Sequence, residues 1–105
     1  MRIEWTEPAL EDLAAIRDYI GKDSRYYARR YVSRIFEAAA KLKDFPAMGR
    51  HVPEAGARTD VRELIFEHYR IIYLYLVEPQ RLQILTVIHG SRDLQGQAQK
   101  PWGEK

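Results

Sequence analysis

Residues 61–94 read VRELIFEHYRIIYLYLVEPQRLQILTVIHGSRDL, and this stretch decides the fold. VRELIF is followed by a break at EHY, then by RIIYLYLVE, a turn at PQR, and LQILTVIHGSRDL. The middle run, Arg70 to Val77, is rich in β-branched and aromatic residues, which pack well on a pleated surface. Pro79 suits a turn and has no N–H for a central ladder. Three strands joined by short turns make an antiparallel meander. By alternation, Arg62, Leu64 and Phe66 share a face of the first strand. In the second, Arg70, Ile72, Leu74 and Leu76 oppose Ile71, Tyr73, Tyr75 and Val77. In the third, Ile84, Thr86 and Ile88 oppose Leu85, Val87 and His89. Strands apolar on both sides are central or covered on both faces.

Upstream lies material to cover one face. Arg2 to Trp5 forms a short strand with Ile3 as its apolar position. Thr6 caps a helix whose first turn holds Glu7 and Pro8, because early helical N–H groups lack an intrahelical partner. Ala9, Leu13, Ile16 and Ile20 recur as one apolar stripe, with Glu11, Asp12 and Asp18 off it. Gly21 is expected to close the helix in the left-handed conformation. Asp23 or Ser24 caps a second helix, whose stripe runs Tyr31, Ile35, Ala38, Leu42 and Phe45 and stops before Pro46. The two helices form an antiparallel hairpin over the sheet. PAMGRHVPEAGARTD, from Pro46 to Asp60, is the longest irregular stretch, and loops of this length often carry function. The second sheet face is left with two readings: a partner surface carrying Tyr and Leu, or burial beneath this loop and the C-terminal tail.

The length bounds the chain to one domain, assigned to residues 1–95, with residues 96–105 as a polar tail. Cysteine is absent, so neither a disulfide nor a thiolate contributes. The opening MRIEWTEPAL gives no signal peptide and no segment offers a membrane span, so the expected location is cytoplasmic, with no membrane partner. Lys and Arg number 17 against 15 Asp and Glu, a net charge of only +2. Their distribution is uneven. Residues 22–34 carry Lys22, Arg25, Arg29, Arg30 and Arg34 against Asp23 alone. Such a face fits an acidic partner, a phosphate backbone or plain solvent.

No HxxxH or HExxH pattern, Cys ligand or Gly-rich phosphate loop occurs, so neither metal nor cofactor is expected. Ser91, His89 and Asp93 are too close on one strand end for a relay triad. A better constellation is Arg62, Arg70, His89 and Arg92 with Tyr69 and Tyr73. RNA cleavage through the 2′-OH needs a base, an acid and positive charge over the scissile phosphate. Arg62 and Arg70 would hold the phosphate and His89 would move a proton. Glu67 and Tyr73 are weak choices for the second proton-transfer group. The plain alternative leaves these residues as strand ends and ion pairs.

IEWTEPALEDLAAIRDYI at 3–20, FPAMGRHVPE at 45–54, VRELIFEHYRIIYLYL at 61–76 and ILTVIHGSRDL at 84–94 occur in a telling order. Together they resemble the RelE/ParE superfamily of small bacterial toxins from type II toxin–antitoxin modules, on its ParE-like, or plasmid-stabilisation, branch. Each motif alone is weak; their order covers nearly all the chain before the tail. The resemblance implies an α+β fold of order β-α-α-β-β-β, with a helical hairpin packed on a small, largely antiparallel sheet. It also implies a growth-inhibiting toxin neutralised by a cognate antitoxin, in a hetero-oligomer. The antitoxin segment would meet the exposed sheet surface, including Tyr73 and Tyr75, and the basic helix at Arg25, Arg29 and Arg30. ParE-like members inhibit DNA gyrase by protein–protein binding, for which Arg50 and Arg92 are further contacts. RelE-like members cut mRNA on the ribosome, which here would use Arg62, Arg70 and His89. The small net charge, the lack of Lys between residues 44 and 99, and the His-Gly-x-Arg-Asp ending point to gyrase. The retained arginines and His89 keep the ribonuclease alternative open.

Overall fold

The chain runs as β1 (Ile3–Trp5), α1 (Glu7–Gly21), α2 (Arg25–Ala40), β2 (Arg50–His51), β3 (Val61–Phe66), β4 (Tyr69–Leu76) and β5 (Arg81–His89). This is a computed structural model, and it describes residues 1–92, 94–97 and 99–103. Thr6 is the N-cap of α1, its hydroxyl accepting from the Ala9 N–H at 3.3 Å and donating to the Ile84 carbonyl at 2.7 Å. One side chain thus starts the helix and ties it to β5. The expected stripe buries Ala9, Leu13 and Ile16. Gly21 does not adopt the left-handed conformation; it stays helical, and its missing side chain leaves ordinary contact space, 3.8 Å, to Ala28 of α2. Ser24 caps α2 by accepting from the Tyr27 N–H at 3.1 Å. The buried stripe of α2 is Ala28, Tyr31, Ile35 and Ala39, continued by Leu42 in a 3-10 turn. Ala39 replaces the expected Ala38, being one residue further round toward the core. Phe45, expected to end the stripe, is 65% exposed because the chain has already turned away.

The sheet has the order β1-β5-β4-β3-β2. The β3–β4–β5 meander is antiparallel as expected, and β1 lies parallel to β5 at one edge. The loop expected to be irregular contributes β2, paired with β3, and a 3-10 turn at Pro53–Ala55. Strict alternation fails in β5. Ile72 pairs with Thr86 but Tyr73 with Ile84, so Leu85 is an extra residue, a β-bulge. Ile84 and Val87 therefore join the helix-side core while Leu85 and Ile88 join the opposite one. Asp12 of α1 holds the bulge, its Oδ2 accepting from the Thr86 hydroxyl at 2.5 Å and the Val87 N–H at 3.0 Å.

Two apolar clusters sandwich the sheet. The helix-side cluster joins the α1 and α2 stripes to Ile71, Tyr73, Leu82, Ile84 and Val87. The second gathers Val52, Val61, Ile72, Ile88 and Leu94, with Trp102 packed on it. Of the two readings of this face, burial beneath the loop and the C-terminal segment is the observed one. Arg58 fastens the segment, donating from Nη1 to the carbonyls of Trp102 and Gly103 at 3.3 and 3.2 Å. Among the described residues no helix is long and apolar enough to cross a membrane.

Candidate functional site

Two tight turns put His68 and His89 side by side. Glu67, at φ 51°, and His68 link β3 to β4, while Gly90 follows β5 and donates its N–H to the His68 carbonyl at 2.7 Å. The two imidazoles stack at 6.2 Å between centroids and 13° between planes, and Tyr69 meets His89 edge-on at 5.7 Å. His89 Nδ1 lies 3.2 Å from the Ser91 N–H and 2.8 Å from its hydroxyl. A backbone N–H only donates, so Nδ1 accepts, and the neutral ring carries its proton on Nε2. Next to this pair opens a hollow of about 400 Å³ lined by Arg50, Glu54, Glu67, His68, Arg70 and His89, among others.

Three residues of the hollow, Arg50, Glu54 and Arg70, belong to an alternating chain of charges completed by Glu63. Glu63 of β3 faces Arg50 directly across the strand pair and Arg70 on the diagonal, the positions where cross-strand side chains interact. Its Oε1 accepts from Arg70 Nε at 2.5 Å and its Oε2 from Arg50 Nε at 2.6 Å. Arg70 then grips Glu54 in a two-point fork at 2.9 and 2.7 Å. The hydrogen bonds from Arg70 hold the Glu54 carboxyl below the usual carboxylate range, and both carboxylates keep the Arg70 guanidinium charged. Glu63 is 1% exposed and Arg70 7%. A buried charge at such positions needs these partners to offset its desolvation.

The sheet register separates the residues expected to act together on phosphate. Arg62 pairs with Tyr73 on the helix side, whereas Arg70 points to the opposite face with Ile72. The two arginines therefore do not form one clamp. Arg62 Nη1 is bonded to the Gly49 carbonyl at 2.7 Å, and Arg70 is held by two carboxylates. Tyr73, expected on a partner surface or as a proton donor, is fully buried. Its hydroxyl accepts from the Gly49 N–H at 3.0 Å and donates to the Pro46 carbonyl at 2.7 Å, and burial raises its pKa. Glu67 is tied up by the Tyr31 hydroxyl at 3.1 Å and by Arg34 at 2.9 Å, while burial and that bond push the Tyr31 phenol up to about 12. Tyr75 is partly buried beside the helix-side core. Arg92 is exposed; Asp93, its expected partner and the third member of the discarded triad, lies outside the described residues. Arg25, Arg29 and Arg30 are exposed on α2 and do not line the hollow. Among the described residues, no three His, Asp or Glu side chains converge as metal ligands.

Sequence reasoning missed Glu54 and Glu63. The signal was present for Glu63: a carboxylate between Val61 and Ile65 on a strand with an apolar face demands a cation nearby.

The sequence pattern of one family, described as ParE toxin of type II toxin-antitoxin system, parDE, matches residues 3–94. The chain belongs to the ParE toxin family. The toxin is 35% identical over 91 residues to Toxin RelE2 of Caulobacter vibrioides, covering 87% of this chain and 97% of that one. It is 39% identical over 88 residues to the Sinorhizobium fredii protein Y4kP, covering 84% of this chain and 86% of that one. Among solved structures, the chromosomal ParDE TA system from P. aeruginosa superposes with a TM-score of 0.69 at 26% identity, covering 85% of the toxin and 95% of that chain. The α+β architecture, two helices on a mostly antiparallel five-stranded sheet, is thus that of the ParDE toxin fold.

Proposed function

We propose that this toxin inhibits DNA gyrase by protein–protein binding and is neutralised by a cognate antitoxin. The observation that carries the reading is the occupied state of Arg70. A ribonuclease of the kind considered needs a guanidinium free to meet phosphate, and this one is buried between Glu54 and Glu63. The hollow beside His89 holds the carboxylates Glu54 and Glu67 as well as Arg50 and Arg70, so it offers little excess positive charge. The antitoxin follows from likeness to a ParDE toxin–antitoxin system. Arg50, with a side chain 64% exposed, and the exposed Arg92 are the proposed protein contacts.

The test is supercoiling of relaxed plasmid by gyrase with added toxin, beside a ribosome-programmed mRNA cleavage reaction on the same sample. Lost supercoiling with accumulating cleaved DNA, reversed by antitoxin, is expected. His89→Gln should retain at least half of the inhibition. Intact supercoiling with codon-phased mRNA cuts that vanish in His89→Gln would replace the reading with ribosome-dependent RNA cleavage.

A further inference from the structure

We infer that the outer face of α2 is a docking surface for the phosphate backbone of duplex DNA. With 3.6 residues per turn, Arg25, Arg29, Tyr26 and Arg30 fall within about 140° of the helix, opposite its buried stripe. At 1.5 Å per residue they spread along the N-terminal half of a rod about 24 Å long. Lys22 extends the row beyond the N-terminus. Arg25 and Arg29 make no ion pair among the described residues, and Arg30 is bonded only to the neutral Tyr26 hydroxyl, at 3.0 Å. The nearby carboxylates are few. Asp18 is paired with Arg17, and Arg34 with Glu67; Asp23 and Glu37 remain. Two hollows of about 530 and 370 Å³ meet at Arg29, which lines both. The first also holds Lys22, Arg25 and the Arg17–Asp18 pair, the second Arg30, Ser33, Arg34 and Glu37, so cations outnumber carboxylates in each. Each offers guanidinium forks, which match phosphate oxygens in geometry as well as charge.

The aromatic residues fix the positions of two of the cations. Tyr19 and Tyr26 are 69% and 65% exposed, a large outlay of apolar surface for a solvated helix. Lys22 Nζ sits 5.6 Å from the Tyr19 centroid, and the Arg30 guanidinium carbon 5.7 Å from that of Tyr26. Each ring thus braces a cation against one of its faces and fixes where that charge stands. Cations held at fixed places along a rigid helix suit the regular phosphate spacing of a double-helical backbone. The inference stands apart from the gyrase reading, since it concerns naked DNA.

The test is fluorescence anisotropy of a labelled 20-base-pair duplex of arbitrary sequence with the purified full chain. Four phosphate contacts predict a log–log salt slope of about −3.6, and so roughly a 100-fold loss of affinity between 50 and 200 mM salt. Arg25→Gln/Arg29→Gln/Arg30→Gln, checked for an unchanged circular dichroism spectrum, should leave a slope near about −1. The corresponding triple Lys variant should keep the wild-type slope. Should the triple Gln variant fold poorly, Arg29→Gln alone is expected to reduce the slope by about 1. Equal binding by the Gln variants and wild type would overturn the inference. So would absence of binding, tighter binding to a single strand of the same length, or binding of polyglutamate in preference to duplex. The last result would make this the face for an acidic protein.

Discussion

Glu63 is a buried carboxylate shared by two arginines, and its loss tests how the hollow is held. Glu63→Gln keeps the shape but removes the charge, leaving Arg70 with Glu54 alone. The expected cost is about 1.5–3 kcal/mol, read from urea unfolding at neutral pH, because the charge-assisted bonds to both arginines are weakened while Arg70 stays paired with Glu54. Acid acts on the same chain of charges through Glu54. Its folded carboxyl lies below the ordinary 4.5 because Arg70 donates to it. A depressed carboxylate stabilises above its unfolded value, and that contribution is lost as pH falls through the folded one. The urea midpoint should therefore hold between pH 7 and 5 and drop below about pH 4.5. Arg70→Gln should flatten that drop. The arginines were legible as residues of interest in the sequence, but their partners were not. Strand pairing, and hence which carboxylate meets which guanidinium, is a tertiary fact that alternation within one strand does not contain.

At the scale of elements, the bulge at Leu85 and the carboxylate of Asp12 form one device. An extra residue in β5 leaves the Val87 N–H and the Thr86 hydroxyl turned toward α1, and Asp12 receives both. Asp12→Ala should destabilise the fold by about 1–3 kcal/mol, since it strands buried donors. Hydrogen exchange should show the loss concentrated at the Val87 amide. The periodicity of α1 placed Asp12 off the apolar stripe, which is correct and incomplete, for a residue beside the stripe reached the sheet margin. Helix starts at Thr6 and Ser24 were readable because caps are local chemistry. The bulge was not, because VIH and ILT alternate acceptably in either register.

Across the whole molecule, the sheet is covered on both sides, by helices on one and by the loop and C-terminal segment on the other. Trp102 and the Arg58 contacts hold the second cover. Trp102→Ala is expected to lower stability by about 1–2 kcal/mol, less than a fully buried Trp because this one is partly exposed. It should also promote self-association in light scattering, as Ile72 and Ile88 lose shielding. The overall order of elements was legible because each carries its own period or turn chemistry. The edge strand β2 was not, since two residues give no period to read. The parallel pairing of β1 with β5 bears on the order in which the fold assembles. Thr6 is bonded to Ile84, 78 residues away in the chain. Contacts of such high sequence separation form late, after the entropy of closing the intervening loop is overcome. The helical hairpin, built from local contacts, is expected to gather before β1 finds β5. The parallel edge of the sheet is therefore expected to close last, after the hairpin and the meander it completes.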